Sequence, residues 1–464
     1  MTDLKFFRRV AFGIKPDQAV PSDALSWAKA QVDEVQPLTW KGEIQTIKQG
    51  LERYAFLRNE TNAARKKFKK SPSKYQEAQR QIWLDSGVEL SERRTLQIRF
   101  DSALNSAQPV LERFAMFWAN HFAIIDKDEL PQLATGPFHR EIIRPNLTGS
   151  YENLVKEATT SWAMIEALDN GESIAPNSRR GLEMKMKNLT PTVNENHARE
   201  LMELHTISPA AGYTQEDVIQ LSYVMAGWRP THKPRKMQQF TPIKFNPEYH
   251  QPGKLTVLGK IYEQRGLSAE NKLLDAIKDF SNHPECKKFI SFKLCRHFVT
   301  DNPTDAMVGH VVKAWNSSNG ALPEIHKAVL EVAFENLSST SKYQNPEIWF
   351  LQAMNIAGSK EPSFDIPEKL EILGHNPLRP IQPNGFPDTE AEWLSPEFLI
   401  RRLTFAKNMA NVGRSYDISR KLDIENMVRK NFSNSDELIE WMGPNASRRE
   451  KLTLLFPSNW MLFA

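Results

Sequence analysis

Apolar residues recur along this chain at spacings of three and four, and runs alternating apolar with polar are nearly absent, so the pattern predicts helices almost throughout. Residues 43–70, EIQTIKQGLERYAFLRNETNAARKKFKK, read as one long helix with Ile44, Ile47, Leu51, Tyr54 and Leu57 near one face. Its end is strongly basic, at Arg65, Lys66, Lys67, Lys69, Lys70 and Lys74, and a charge run of this kind is ordinarily a solvated face. In SAQPVLERFAMFWANHF, Pro109 suits a first helical turn, and Leu111, Phe114, Ala115, Trp118 and Phe122 form a stripe to be buried. Thr214 and Asp217 make a capping box ahead of Val218, Leu221, Val224 and Met225. A second helical set spans 268–357.

Two irregular stretches interrupt the helices. Residues 231–266 are rich in Pro, Gly and polar side chains, with β-like pieces at QQFTPIKF and KLTVLG, and predict a long ordered loop or a small hairpin. Residues 374–398 hold several prolines and read as a covering loop, in which His375, Asn384 and Asp388 could lid a pocket. No repeat of solenoid period is present. The expected fold is therefore all-α: one large helical domain over 1–464 with long Pro/Gly-rich ordered loops and at most a small β-hairpin.

Composition narrows the classes. Hydrophobic residues at 40% with 25 Phe and 11 Trp describe a globular chain with an aromatic-rich core. A net charge of +4, from 60 basic and 56 acidic residues, gives no reason to expect nucleic-acid binding. Cys286 and Cys295 are the only cysteines, which excludes a cysteine zinc site or a disulfide framework and fits buried thiols in a reducing compartment. The first residues, MTDLKFFRRVAFGIKPDQ, do not read as a secretory signal, and no stretch approaches the roughly 20 apolar residues of a membrane helix. As written, the chain reads as cytoplasmic.

Candidate chemistry concentrates in NENHARELMELHTIS, residues 194–208, expected to be a single helix capped by Asn194 and starting near Glu195. On it Asn196, Glu200 and Glu203 share one stripe, and His197, Leu201, Leu204 and His205 occupy the neighbouring arc. Two carboxylates so placed could share a proton or a hard cation, so a divalent metal is compatible with the stripe. Equally, two glutamates on an amphipathic helix commonly face water. His121, ending the FWANHF helix beside Asn120, and His250, in the EYHQPGK loop, are the distant candidates for ligand or base, although a histidine among aromatics more often serves a backbone carbonyl. With Glu200 or Glu203 as acid and His121 or His205 as base, general acid/base hydrolysis becomes feasible. Arg199 and Arg229 could hold an anionic group, and Trp228 could stack a sugar. HExxH, GxSxG, P-loop, GxGxxG and CxxCH motifs are all lacking.

Seven pieces in order, FFRRVAFG, LERFAMFWANHF, MIEALDN, NENHARELMELHT, GYTQEDVIQLSYVMAGW, HPECKKFISFKLCRHFVTDNP and PNGFPDTEAEWLSP, resemble the bacterial domain-of-unknown-function family 1800. The resemblance spans 6–405 and implies a single, mostly helical unit, with no established reaction. It also implies that many relatives are exported and that a sulfatase-like protein is a partner. This chain departs by starting its first motif at Phe6 without a signal, and by inserting GESIAPNSRRGLEMKMKNLTPTV ahead of the central helix. Together these observations leave three readings: a hydrolase-like enzyme on a carbohydrate or other polar substrate, a non-catalytic helical scaffold or partner-binding protein, and a metal-binding protein.

Overall fold

The computed structural model describes residues 4–230, 242–362, 365–411, 418–419 and 421–464. Helices dominate, and the described strands form two antiparallel pairs, Trp228–Pro230 with Ile243–Phe245 and Leu255–Val257 with Lys260–Tyr262. The all-α expectation holds, with two such pairs where one hairpin was expected. The second pair turns through Leu258 and Gly259, both at positive φ (50° and 73°), the backbone that a two-residue hairpin needs. The expected piece QQFTPIKF lies partly outside the described residues, since 231–241 do.

Local signals placed several elements correctly. The long helix runs Ile47–Lys67, started by Thr46 and Gln49 in a capping box, and buries Leu51, Tyr54 and Leu57. Pro109 occupies the first turn of Pro109–His121, and Thr214 with Asp217 caps Gln215–Met225. Each cap satisfies amide donors that the first helical turn leaves unpaired.

The central helix departs from its expected span. It covers Asn196–Glu203 only, with Asn194 Oδ1 accepting from the Asn196 amide, so His205 lies beyond its end. The cause is the chain that follows. Ser208 adopts φ 58° ahead of Pro209, its amide donates back to the Met202 carbonyl, and the Thr206 hydroxyl takes the Leu201 carbonyl. A left-handed residue before proline cannot continue a helix, and these bonds close its last turn instead.

Two apolar clusters make the core. One gathers Phe114, Trp118, Tyr151, Trp162 and Trp315; the other gathers Phe100, Trp349, Phe350, Phe405 and Leu455. Helices Val88–Asn105 and Pro109–His121 give residues to both, Val88 and Leu111 to the first, Leu96 and Met116 to the second. The N-terminal helix Leu4–Val10 buries Phe6 and Phe7 and holds the chain's ends together: Arg9 donates to the Val299 carbonyl at 2.8 Å, and Arg8 to the Phe463 carbonyl at 3.0 Å. Both thiols are free and buried, as expected.

Candidate functional site

Helix Pro284–Phe298 brings Lys293 against the end of Pro109–His121, where its Nζ lies 2.9 Å from His121 Nδ1. Burial, opposed in part by Asp388, lowers the Lys293 ammonium to about 8, so it gives up its proton more readily than an exposed lysine. Burial and then the Lys293 charge hold His121 well below its ordinary range. Its ring stands 5.8 Å from that of His205, which burial likewise keeps neutral. Among the described residues, His121 Nε2 and both ring nitrogens of His197 and His205 are buried without a hydrogen-bond partner.

The Pro-rich loop closes this region from the other side. Asn120 donates to the Phe386 carbonyl at 2.9 Å and accepts from the Phe386 amide at 2.8 Å. Gly385, at φ 75°, lets the loop come this near, because a Cβ there would stand 2.4 Å from the Asn120 carbonyl. Asp388 Oδ2 accepts from His297 Nδ1 at 2.8 Å, and the Asp388 carbonyl accepts from Lys342. Burial would raise the Asp388 carboxyl, but His297 and Lys342 outweigh it and bring it to about 2. Of the loop residues singled out in the sequence, Asp388 is bonded into the body, and His375 packs at a tilt against Phe386 with ring centres 4.3 Å apart.

The other expected residues are dispersed. Glu200 is half-buried, with its carboxyl raised by burial and then by Glu203, while Glu203 accepts from the Tyr213 hydroxyl at 3.1 Å. Among the described residues no side-chain hydrogen bond joins either glutamate to His121 or His205; the His205 backbone amide donates to the Glu200 carbonyl at 3.0 Å. Arg199 bonds Glu195 and Gln215, and Asn196 is exposed. The Trp228 ring packs edge-on to Phe245, and His250 Nδ1 sits 2.9 Å from the Ala226 carbonyl. Among the described residues no three His, Cys, Asp or Glu side chains are grouped to hold a metal ion.

Open concave space lies elsewhere. A cleft of about 630 Å³ and another of about 350 Å³ adjoin, sharing Tyr54, Arg58 and Asp128. Tyr54 and Arg58 come from Ile47–Lys67, and Glu166 from the short helix Trp162–Ala167, capped by Ser161. Asp169 follows at φ 57°, and Asn170 fixes that turn by donating to the Met225 and Trp228 carbonyls. Arg229, expected to bind substrate, lines the smaller cleft and stacks over Tyr249 at 4.1 Å.

Here Arg58 bonds Glu166 at 2.6 Å, the Tyr54 hydroxyl donates to Asp128 at 2.9 Å, and Lys127 pairs with Asp169. Burial is the main cause that raises the Glu166 carboxyl; Arg58 opposes it, and the charges of Asp128 and Asp169 add to it. The cleft therefore combines a carboxyl biased toward its protonated form with two carboxylates near it. Sequence reasoning passed over Glu166, although MIEALDN was one of the quoted motifs, because the residue sits inside an apolar run.

The family model described as protein of unknown function (DUF1800) matches residues 5–454. The chain belongs to that family. The match runs past the quoted motifs and takes in the C-terminal helices. No curated protein and no solved structure matches the chain. Among the described residues no helix is long and apolar enough to cross a membrane.

Proposed function

We propose that the chain is a hydrolase-like enzyme acting on a carbohydrate or similarly polar substrate in the Tyr54–Glu166 cleft. The observation that carries this reading is Glu166, a carboxyl raised by burial within an open cleft and faced by Asp128 and Asp169. Carboxyl groups whose environments separate their proton affinities suit one as general acid and another as base or charge stabiliser. Glu166 would donate the proton to the leaving oxygen. Asp128, oriented by the Tyr54 hydroxyl and the Leu130 amide, would then activate water or steady positive charge on the substrate.

The test is a panel of chromogenic glycosides and plain polysaccharides assayed with the wild type and Glu166→Gln. Turnover lost in the variant, with a pH profile falling on the alkaline side in the wild type, supports the reading. Equal rates in the two proteins, or no turnover across the panel, sinks it.

A second reading keeps the chemistry on the central histidines, with Glu200 or Glu203 as acid and His121 or His205 as base. It is favoured by Lys293, whose ammonium is lowered to about 8 and lies 2.9 Å from His121. Lys293→Met would then abolish a turnover that Glu166→Gln leaves intact.

A further inference from the structure

The larger cleft carries a charge pattern that hydrolysis of a neutral sugar does not require. Its wall is the packed pair of helices Ile47–Lys67 and Pro72–Ser86, which contribute Arg65 and Arg80. Both arginines are exposed and, among the described residues, neither is in an ion pair or hydrogen bond. Another lining carboxylate, Asp128, is engaged by Tyr54 and the Leu130 amide, while Arg58 is engaged by Glu166. The unengaged guanidiniums on the cleft wall are therefore Arg65 and Arg80, with one further carboxylate, Glu129, in the lining. Around them the hairpin of residues 60–80 holds seven Lys and Arg against two carboxylates, Glu60 and Glu77.

We infer that the ligand of this cleft is an acidic polysaccharide, with carboxylate or sulfate-ester groups held by Arg65 and Arg80 while a neighbouring unit lies at Glu166. The inference rests on the proposed function for the place of cleavage but not for binding itself. Guanidinium forks match planar and tetrahedral oxyanions through paired hydrogen bonds. The shared wall of Tyr54 and Arg58 lets one chain occupy both concavities, so the anion site sits beside the reacting centre. A basic surface alone would equally suit nucleic acid. The concave shape of the site and its Trp83 wall favour a sugar chain read unit by unit over a duplex lying on a flat face.

The test is isothermal titration of the full chain with oligogalacturonate, sulfated dextran, neutral dextran and a single-stranded DNA oligonucleotide. Binding of one or both acidic saccharides, weakened by roughly tenfold or more in Arg65→Gln/Arg80→Gln, is the expected result. The preferred saccharide tells carboxylate from sulfate ester. Neutral dextran binding as tightly as the acidic chains, DNA binding more tightly than either, or a double variant with wild-type affinity overturns the inference. Failure of acidic binding with neutral substrate still cleaved overturns this inference alone. Acidic binding without cleavage of any saccharide overturns the proposed function and leaves the binding site standing.

Discussion

His326 makes a sharp test of how burial controls charge in this protein. It is fully buried, its ring stacked on Phe114 with centres 3.9 Å apart, and its Nε2 accepts from Trp118 Nε1 at 3.0 Å. With Nε2 an acceptor, the proton must sit on Nδ1, and burial depresses the imidazole from 6.5 to about 3. The unfolded chain takes up a proton below 6.5 that the folded chain refuses until about 3. The group is thus neutral toward folding above 6.5 and erodes stability progressively as pH falls between those values. Each pH unit in that window is worth about 1.4 kcal/mol, so going from pH 7 to pH 5 costs about 2 kcal/mol from this residue. His326→Phe keeps the stack and removes the titration, but strips Trp118 of its acceptor, costing about 1–3 kcal/mol at pH 7. Urea unfolding followed by tryptophan fluorescence should find the variant less stable at pH 7 and the gap narrowed by about 2 kcal/mol at pH 5. An equal fall in both proteins, or a nitrogen-15 spectrum placing the proton on Nε2, would refute the reasoning.

Three further outcomes follow from the same contacts. Gly385→Ala forces a Cβ to 2.4 Å from the Asn120 carbonyl at φ 75°, so it should cost about 2 kcal/mol or more and speed proteolysis within 381–389; unchanged cleavage would mean the loop is not held by Asn120. Lys293→Met removes an ammonium that burial disfavours and should raise the melting temperature at pH 7; a lowered one would show that its bond to His121 outweighs its desolvation. Cys286 and Cys295, both pushed up by burial to about 12, should resist a thiol reagent at pH 8 until the chain is denatured; rapid labelling of the native protein would contradict their burial.

Most of the helical framework was legible because its signals are local. Pro109, and Thr214 with Asp217, act within one turn of where they stand, and Leu51, Tyr54 and Leu57 show their buried face by spacing alone; the Thr46–Gln49 capping box starts the long helix at Ile47, inside its expected 43–70 span. The central helix was legible in kind and not in extent. The left-handed Ser208 that helps end it is a choice of backbone that serine does not advertise.

The sequence by itself determined that the chain folds as helices with an aromatic core and that its thiols are buried. Only the tertiary structure decided which polar groups meet. Lys293 reaches His121 across 172 residues, His297 reaches Asp388 across 91, and Arg58 reaches Glu166 across 108. Nothing in the residues flanking Glu166 marks it, since its neighbours were selected to bury a helix face. Proton affinity depends on burial and on the charges packed around a group, and both are set by residues distant in the chain.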